Sequence, residues 1–132
     1  GYAFGSETLI STLEAVKNSY NSYTMDSLAL AVGEASIRDE AYFRETCRKV
    51  AATRDRAADE LRALGFEVTP SLANFLFATH PKKAAPEIFS ALREKGIFIR
   101  YFKLPRIDNH LRITVGTDEQ MDALIAALKQ IL

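Results

Sequence analysis

Arg100 and Arg112 are the side chains of this sequence best suited to act on a ligand. Arg100 lies in the run Ile97-Phe98-Ile99-Arg100-Tyr101, and Arg112 in Leu111-Arg112-Ile113-Thr114-Val115. Both runs are rich in β-forming residues, so each arginine is expected on a strand. Period-two alternation sets Arg112 with Thr114 on one face and Leu111, Ile113 and Val115 on the other. By the same rule Arg100 shares a face with Phe98 and Phe102. A guanidinium stays charged at any working pH, so one held in a sheet needs an anionic partner. Its planar fork matches a carboxylate or a phosphate with two parallel hydrogen bonds. Two such groups, separated by a strand end and a loop, can form a receptor for a small anion. They can equally be sheet-edge arginines held by Asp or Glu, and spacing alone leaves both readings open.

Other chemistries have less support. His80 precedes Pro81 at a strand end and His110 sits in a loop, so both are expected at the surface or in loops; no Cys or acid stands at metal-ligand spacing from them. The six glycines are scattered and form no phosphate cradle. No nucleophile-base arrangement and no pair of carboxylates for acid-base work can be assigned. The one cysteine, Cys47, excludes an internal disulfide and is expected as a small core residue on a helix. A lone cysteine also fits a reducing compartment, hence a cytoplasmic location. Seventeen basic residues balance seventeen acidic ones, which argues against a general nucleic-acid binder. No apolar run approaches the roughly 20 residues of a membrane span.

The elements that must position the arginines can be traced along the chain. Tyr2–Phe4 reads as a strand end, and Ser6 as the N-cap of a short helix with Leu9, Ile10, Leu13 and Val16 on one face. The segment KNSYNSYT, Lys17 to Thr24, reads as a connector. A helix from Asp26 to about Ala35 is apolar nearly all round and is expected to be buried or in an interface. From Asp39 to Leu64 a long amphipathic helix carries Phe43, Cys47, Val50, Ala57, Leu61 and Leu64 on one stripe, with Arg54 filling the gap. Gly65 ends it, and its other face, with Arg44, Arg48, Arg56, Asp59 and Arg62, is expected to be solvated. Phe66–Thr69 and Ala73–Thr79 read as strands, the second apolar enough for a sheet interior. A helix follows Pro86, with Ile88, Phe89 and Leu92 inward and Gly96 as its stop. Strands at Ile97–Phe102 and Leu111–Val115 flank a loop, and Thr117 with Gln120 makes a capping box for a last helix that buries Met121, Leu124, Ile125 and Leu128. The order helix, strand, strand, helix, strand, strand, helix predicts an α+β two-layer sandwich: a small, mainly antiparallel sheet with helices on one face.

The stretch RYFKLPRIDNHLRITVGT, Arg100 to Thr117, closely resembles the C-terminal signature of histidinol-phosphate aminotransferases, pyridoxal-phosphate (PLP) enzymes of fold type I. GFEVTPSLANFLFA, from Gly65 to Ala78, is similar to that family's small-domain strand pair. GYAFG at the start resembles the segment just after the arginine that holds the cofactor phosphate, and KNSYNSYT resembles the crossover between domains. The resemblance implies that residues 1–35 are the tail of a large domain plus its connector, and that 36–132 are the C-terminal small domain. It implies amino-group transfer between histidinol phosphate and 2-oxoglutarate or glutamate, in a cytoplasmic homodimer. Arg112 would receive the glutamate carboxylate, and Arg100 would be a second anion contact near the substrate phosphate.

The departures bear on what this chain does by itself. The family's Schiff-base lysine lies upstream of the GYAFG segment, and no lysine here has that setting. The resemblance therefore implies no catalytic and no cofactor-binding residue in this chain, PLP only in the longer enzyme, and an inactive fragment. The start at Gly1, without methionine, also reads as a fragment. Two alternatives stay open: a relative acting on aromatic amino acids or threonine phosphate, and a non-catalytic α+β module that binds a small anion.

Overall fold

A computed structural model describes residues 3–20 and 25–132. The chain divides into two units, Gly1–Glu40 and Ala41–Leu132. The first holds α1 (Glu7–Tyr20) and α2 (Ser27–Arg38). Ser6 caps α1 by accepting the Leu9 N–H at 3.4 Å, and Asp26 caps α2 by accepting the Ala29 N–H at 2.7 Å. α1 runs to Tyr20, three residues past the start of the expected connector, whose residues 21–24 lie outside the described ones. Of the expected first strand, Tyr2 also lies outside, while Ala3 and Phe4 take no strand pairing. Neither helix contains a buried residue. The apolar α2, expected to be covered, leaves Leu28 72% and Ile37 84% exposed.

The second unit holds α3 (Glu40–Ala63, whose first residue belongs to the other unit), β1 (Glu67–Val68), β2 (Phe75–Thr79), α4 (Ala85–Glu94), β3 (Arg100–Tyr101), β4 (Leu111–Thr114) and α5 (Asp118–Ile131). The strands form one antiparallel sheet in the order β1-β2-β4-β3. On one of its faces Leu76, Ala78, Leu111 and Ile113 are buried. They join Ala57 and Leu61 of α3, Ile88 and Leu92 of α4, and Leu124 and Leu128 of α5 in a single core. Each large side chain taken out of water there contributes about 1.5–3 kcal/mol before chain entropy is counted. This is the two-layer α+β arrangement that the order of elements predicts.

The helices stop where the glycines stand. At the end of α3 the Gly65 N–H donates to Arg62 O and the Phe66 N–H to Leu61 O, with Gly65 at φ 90°. α4 ends the same way through Gly96, φ 77°. Both are the paired-bond cap in which a left-handed residue lets the last carbonyls find donors. The Thr117–Gln120 capping box forms at the start of α5.

Further expectations need correction. The predicted strand Ile97–Phe102 pairs only at Arg100 and Tyr101. Ahead of those two residues a groove lined by Ile97, Phe98, Ile99, Ile113 and Thr114 opens, so the chain diverges from β4 there. The apolar stripe of α3 is buried only in its second half: Ala57 and Leu61 are covered, while Phe43 is 62% exposed. Cys47 is likewise exposed and is not a core residue. Length explains this, since 24 residues of helix span about 36 Å whereas the five-residue β2 spans about 17 Å. Arg54 fills the gap in the stripe as expected, nearly buried and donating to Asp55 and to the Ala73 carbonyl.

Candidate functional site: the open face of the sheet

The register of the sheet decides which side chains share its second face. Phe77 stands opposite Arg112, Phe75 opposite Thr114, and Arg100 opposite Arg112. With Leu76, Ala78, Leu111 and Ile113 in the core, strand alternation places Phe75, Phe77, Arg112 and Arg100 together on the other side. The two arginines singled out by sequence are thus cross-strand neighbours.

Arg112 is half-buried and framed by aromatic rings. Its guanidinium carbon lies 5.5 Å from the centre of the Phe75 ring and 5.6 Å from that of Phe102. Both distances are within the roughly 6 Å over which a ring face attracts a cation. Its Nε is buried and has no hydrogen-bond partner among the described residues. Among the described residues no carboxylate pairs with Arg112 or Arg100. Like charges directly opposite on a sheet destabilise it. The rings offset part of that repulsion, but a phenyl face does not replace the anion that a partly desolvated guanidinium calls for. The arrangement suits a small dianion or dicarboxylate at the sheet surface, with Arg112 half-buried beside two rings and Arg100 exposed.

The aromatic frame around the cation does not follow from the spacing of the two arginines. β2 is an inner strand of the sheet, as its apolar run predicts, and Phe75 and Phe77 stand half-buried on its open face. The available signal was Leu76 and Ala78, whose positions claim the core face and leave their neighbours opposite. His110 is also placed here: its ring stacks on Phe77 with centroids 4.6 Å apart and planes 7° from parallel, and its Nδ1 is buried without a partner among the described residues. His80, expected at the surface or in a loop, follows the end of β2 outside any strand or helix but is buried, edge-on to Phe66 at 5.0 Å, with Nδ1 accepting the Lys82 N–H at 3.3 Å. It packs under the Gly65 turn, where an added Cβ would come 3.2 Å from His80 Nε2.

The basic stripe of α3 has its own acids, as a solvated face should. Arg56 bonds Glu60, Asp118 and Asp122 at 2.7–2.9 Å, and Arg62 bonds Asp59. These bonds, the one to Asp118 first, hold the Arg56 guanidinium further toward its charged form. In return the Arg56 bond, then the Thr53 hydroxyl, holds the Asp118 carboxyl below the usual carboxylate range. Lysines are absent from all four strands. Lys49 pairs with Glu45, Lys83 donates to the Ile131 carbonyl and Lys95 to Gln130. Among the described residues no cluster of His, Cys, Asp or Glu could hold a metal ion, and no helix is long and apolar enough to cross a membrane.

Residues 1–128 match the family model for aminotransferase class I and II. The chain is 53% identical over 131 residues to a histidinol-phosphate aminotransferase of Marinomonas sp. (strain MWYL1), a match covering 98% of this chain and 37% of that protein. It is 55% identical over 131 residues to histidinol-phosphate aminotransferase 2 of Dechloromonas aromatica (strain RCB), covering 99% of this chain and 37% of the relative. Among solved structures it superposes on histidinol-phosphate aminotransferase from Sinorhizobium meliloti in complex with pyridoxal-5'-phosphate, with a TM-score of 0.81 and 30% identity, over 92% of this chain and 34% of that one. The chain therefore spans little more than a third of the length of the curated relatives it matches.

Proposed function

This chain belongs to the class I and II aminotransferase family, and from that premise we propose that it forms the substrate-side part of a PLP-dependent enzyme that moves an amino group between histidinol phosphate and 2-oxoglutarate or glutamate. Residues 36–132 are the C-terminal small domain in this reading, and 1–35 the end of the large domain with its connector. The observation that carries the proposal is the Arg112 guanidinium, clamped between Phe75 and Phe102, unpaired at Nε and facing a second arginine across the strand pair. The relatives named histidinol-phosphate aminotransferase at 53–55% identity supply the substrate class.

The reaction needs a pocket that takes a phosphate in one half and carboxylates in the other. Permanently charged forks serve both, because each oxyanion presents paired oxygens to the same N–H donors. Arg112 is assigned the carboxylate of glutamate or 2-oxoglutarate, since its rings fix the fork in one direction. Arg100 is assigned the substrate phosphate, which tolerates a less rigid cation. The Phe75, Phe77 and Phe102 rings exclude water from one side of the ion pair and so strengthen it.

The cofactor's covalent attachment is assigned outside this chain, because none of its lysines has the setting that the resemblance implies for the Schiff base. The strands carry no lysine, and Lys49, Lys83 and Lys95 are engaged elsewhere. Bound PLP supplies the electron sink for the chemistry at the amino-bearing carbon. Its anchoring is assigned to the part of the enzyme that this chain does not span, and the chain by itself is proposed to be inactive. The complete enzyme is proposed to be a cytoplasmic homodimer; the apolar α2 left exposed at Leu28, Leu30, Val32 and Ile37 supports its burial against further protein.

The test is a substrate panel on the complete protein, with Arg112→Ala alongside. The expected result is turnover of histidinol phosphate with 2-oxoglutarate. In Arg112→Ala the KM for 2-oxoglutarate should rise about 100-fold, because truncating one partner of a desolvated ion pair costs about 2–5 kcal/mol. PLP should remain bound in that variant. Preference for tyrosine or phenylalanine over histidinol phosphate overturns the substrate assignment, and unchanged kinetics in Arg112→Ala overturn the role of the arginine.

A further inference from the structure

Arg112 and Arg100 act as a pair only while β4 keeps its register. A one-residue slip of a strand sends every side chain to the opposite face. Here it would put Arg112 into the core and Leu111 or Ile113 onto the open face. Yet the ladder holding Arg100 opposite Arg112 is two residues long. The loop between them, residues 102–110, makes two internal turns, with Ile107 N–H donating to Leu104 O and His110 N–H to Ile107 O. It also holds Arg106 at φ 74°, a conformation L side chains rarely adopt. Something must fasten that loop to the body of the fold.

We propose that Asn109 is the positioning residue of the anion site, fastening the start of β4 so that Arg112 and Arg100 stay opposed on the open face. This rests on the reading of those arginines given under Proposed function. Two bonds support it. Asn109 Oδ1 accepts the Ala85 N–H at 2.9 Å, and Asn109 Nδ2 donates to Thr79 Oγ1 at 3.2 Å. The first reaches the N-terminus of α4, the second the end of β2. Among the described residues these are the only side-chain hydrogen bonds that leave residues 102–110.

Each bond answers a defined need. Ala84, the N-cap of α4, has no side chain able to cap, and Pro86 in the first turn has no N–H. The Ala85 N–H is thus the donor at this helix end that most needs an outside acceptor, and its residue is buried. Thr79 lies one residue beyond Ala78, which pairs with Leu111. A bond from Asn109 to Thr79 therefore pins β4 against β2 at the end where the loop enters. His110, next in sequence, stacks on Phe77, and Phe77 stands opposite Arg112. The cation stands three positions after the anchor in sequence.

The experiment measures steady-state kinetics and Tm of the complete enzyme with Asn109→Ala, Asn109→Asp and the double variant Ala84→Asp/Asn109→Ala. In Asn109→Ala, KM for both histidinol phosphate and 2-oxoglutarate should rise about tenfold with kcat within about twofold, the pattern of lost ground-state binding. Asn109→Asp keeps the oxygen for Ala85 and can accept the Thr79 hydroxyl, so it should restore both KM values. Ala84→Asp/Asn109→Ala offers a carboxylate to the Glu87 N–H, but it neither takes the Ala85 N–H nor anchors the loop. Its Tm should recover in part while its KM values stay raised. If its KM values recover with its Tm, Asn109 is only a helix cap and the positioning role is overturned. Unchanged KM in Asn109→Ala while Arg112→Ala raises it also overturns this role and leaves the proposed function standing. If neither variant moves KM, the reading of the arginines fails first. Should Asn109→Ala not fold, Thr79→Val removes one bond only and should raise both KM values by a smaller factor; no rise there overturns the pin to β2.

Discussion

The two faces of this sheet are written by alternate residues of the same strands, and they obey different rules. On one face Leu76, Ala78, Leu111 and Ile113 are sealed under three helices. On the other, Phe75, Phe77, Arg100 and Arg112 gather aromatic rings and positive charge at the surface. The first face contributes stability through apolar area removed from water. The second sets two like charges side by side and leaves a buried nitrogen without a partner. That combination gives little to folding and is suited to binding. The contrast teaches where to look for function in a small α+β layer: on the face whose polar groups are left unsatisfied.

Substitutions can break or sharpen this division. The largest effect is expected on the core face. Leu111→Ala should cost about 3 kcal/mol, the range for a leucine deleted from a packed interior, read from urea unfolding followed by circular dichroism. One residue along, Arg112→Leu should change stability by no more than about 1 kcal/mol in the same assay, because an apolar side chain replaces an unpaired cation among rings. A loss as large as that of Leu111→Ala would show that Arg112 serves the fold. Smaller still is the helix layer's own detail: Thr117→Ala removes the capping box of α5 and should cost about 1 kcal/mol.

The smallest effect is confined to acid. Arg56 and Thr53 hold the Asp118 carboxyl below its usual range in the folded chain. A depressed folded-state pKa means the stabilisation is complete above the unfolded value, about pH 4, and is lost as pH falls through the folded one. Asp118→Asn should therefore flatten the loss of stability on acidification below about pH 4 and leave the open-face kinetics at neutral pH unchanged. Equal acid sensitivity in the variant and the parent would remove Asp118 from the account.

Much of this was legible in the residues. Helix stops at Gly65 and Gly96, the Thr117 box and the face of Arg112 follow from short-range rules, and the structure bears them out. What escaped depends on distance in space. No periodicity says how far a sheet extends beneath a helix, so Cys47 and Phe43 read as core although α3 outruns the strands that cover it. The aromatic clamp on Arg112 comes from two strands and a loop, and its register cannot be read from any one of them. The burial of His80 is not legible, because packing beneath a turn leaves no trace in its immediate neighbours.

The Gly65 turn also limits how this molecule can be engineered. Replacing glycine by alanine commonly stabilises a protein by stiffening its unfolded chain. At position 65 the gain is forfeited twice, since the backbone there is left-handed and the new methyl would crowd the buried imidazole of His80. Within α2, Gly33 has open space around the same methyl in this chain taken by itself and ordinary helical geometry, so there the identical exchange has the opposite sign. Which glycine is free to change is decided by its surroundings and not by its type.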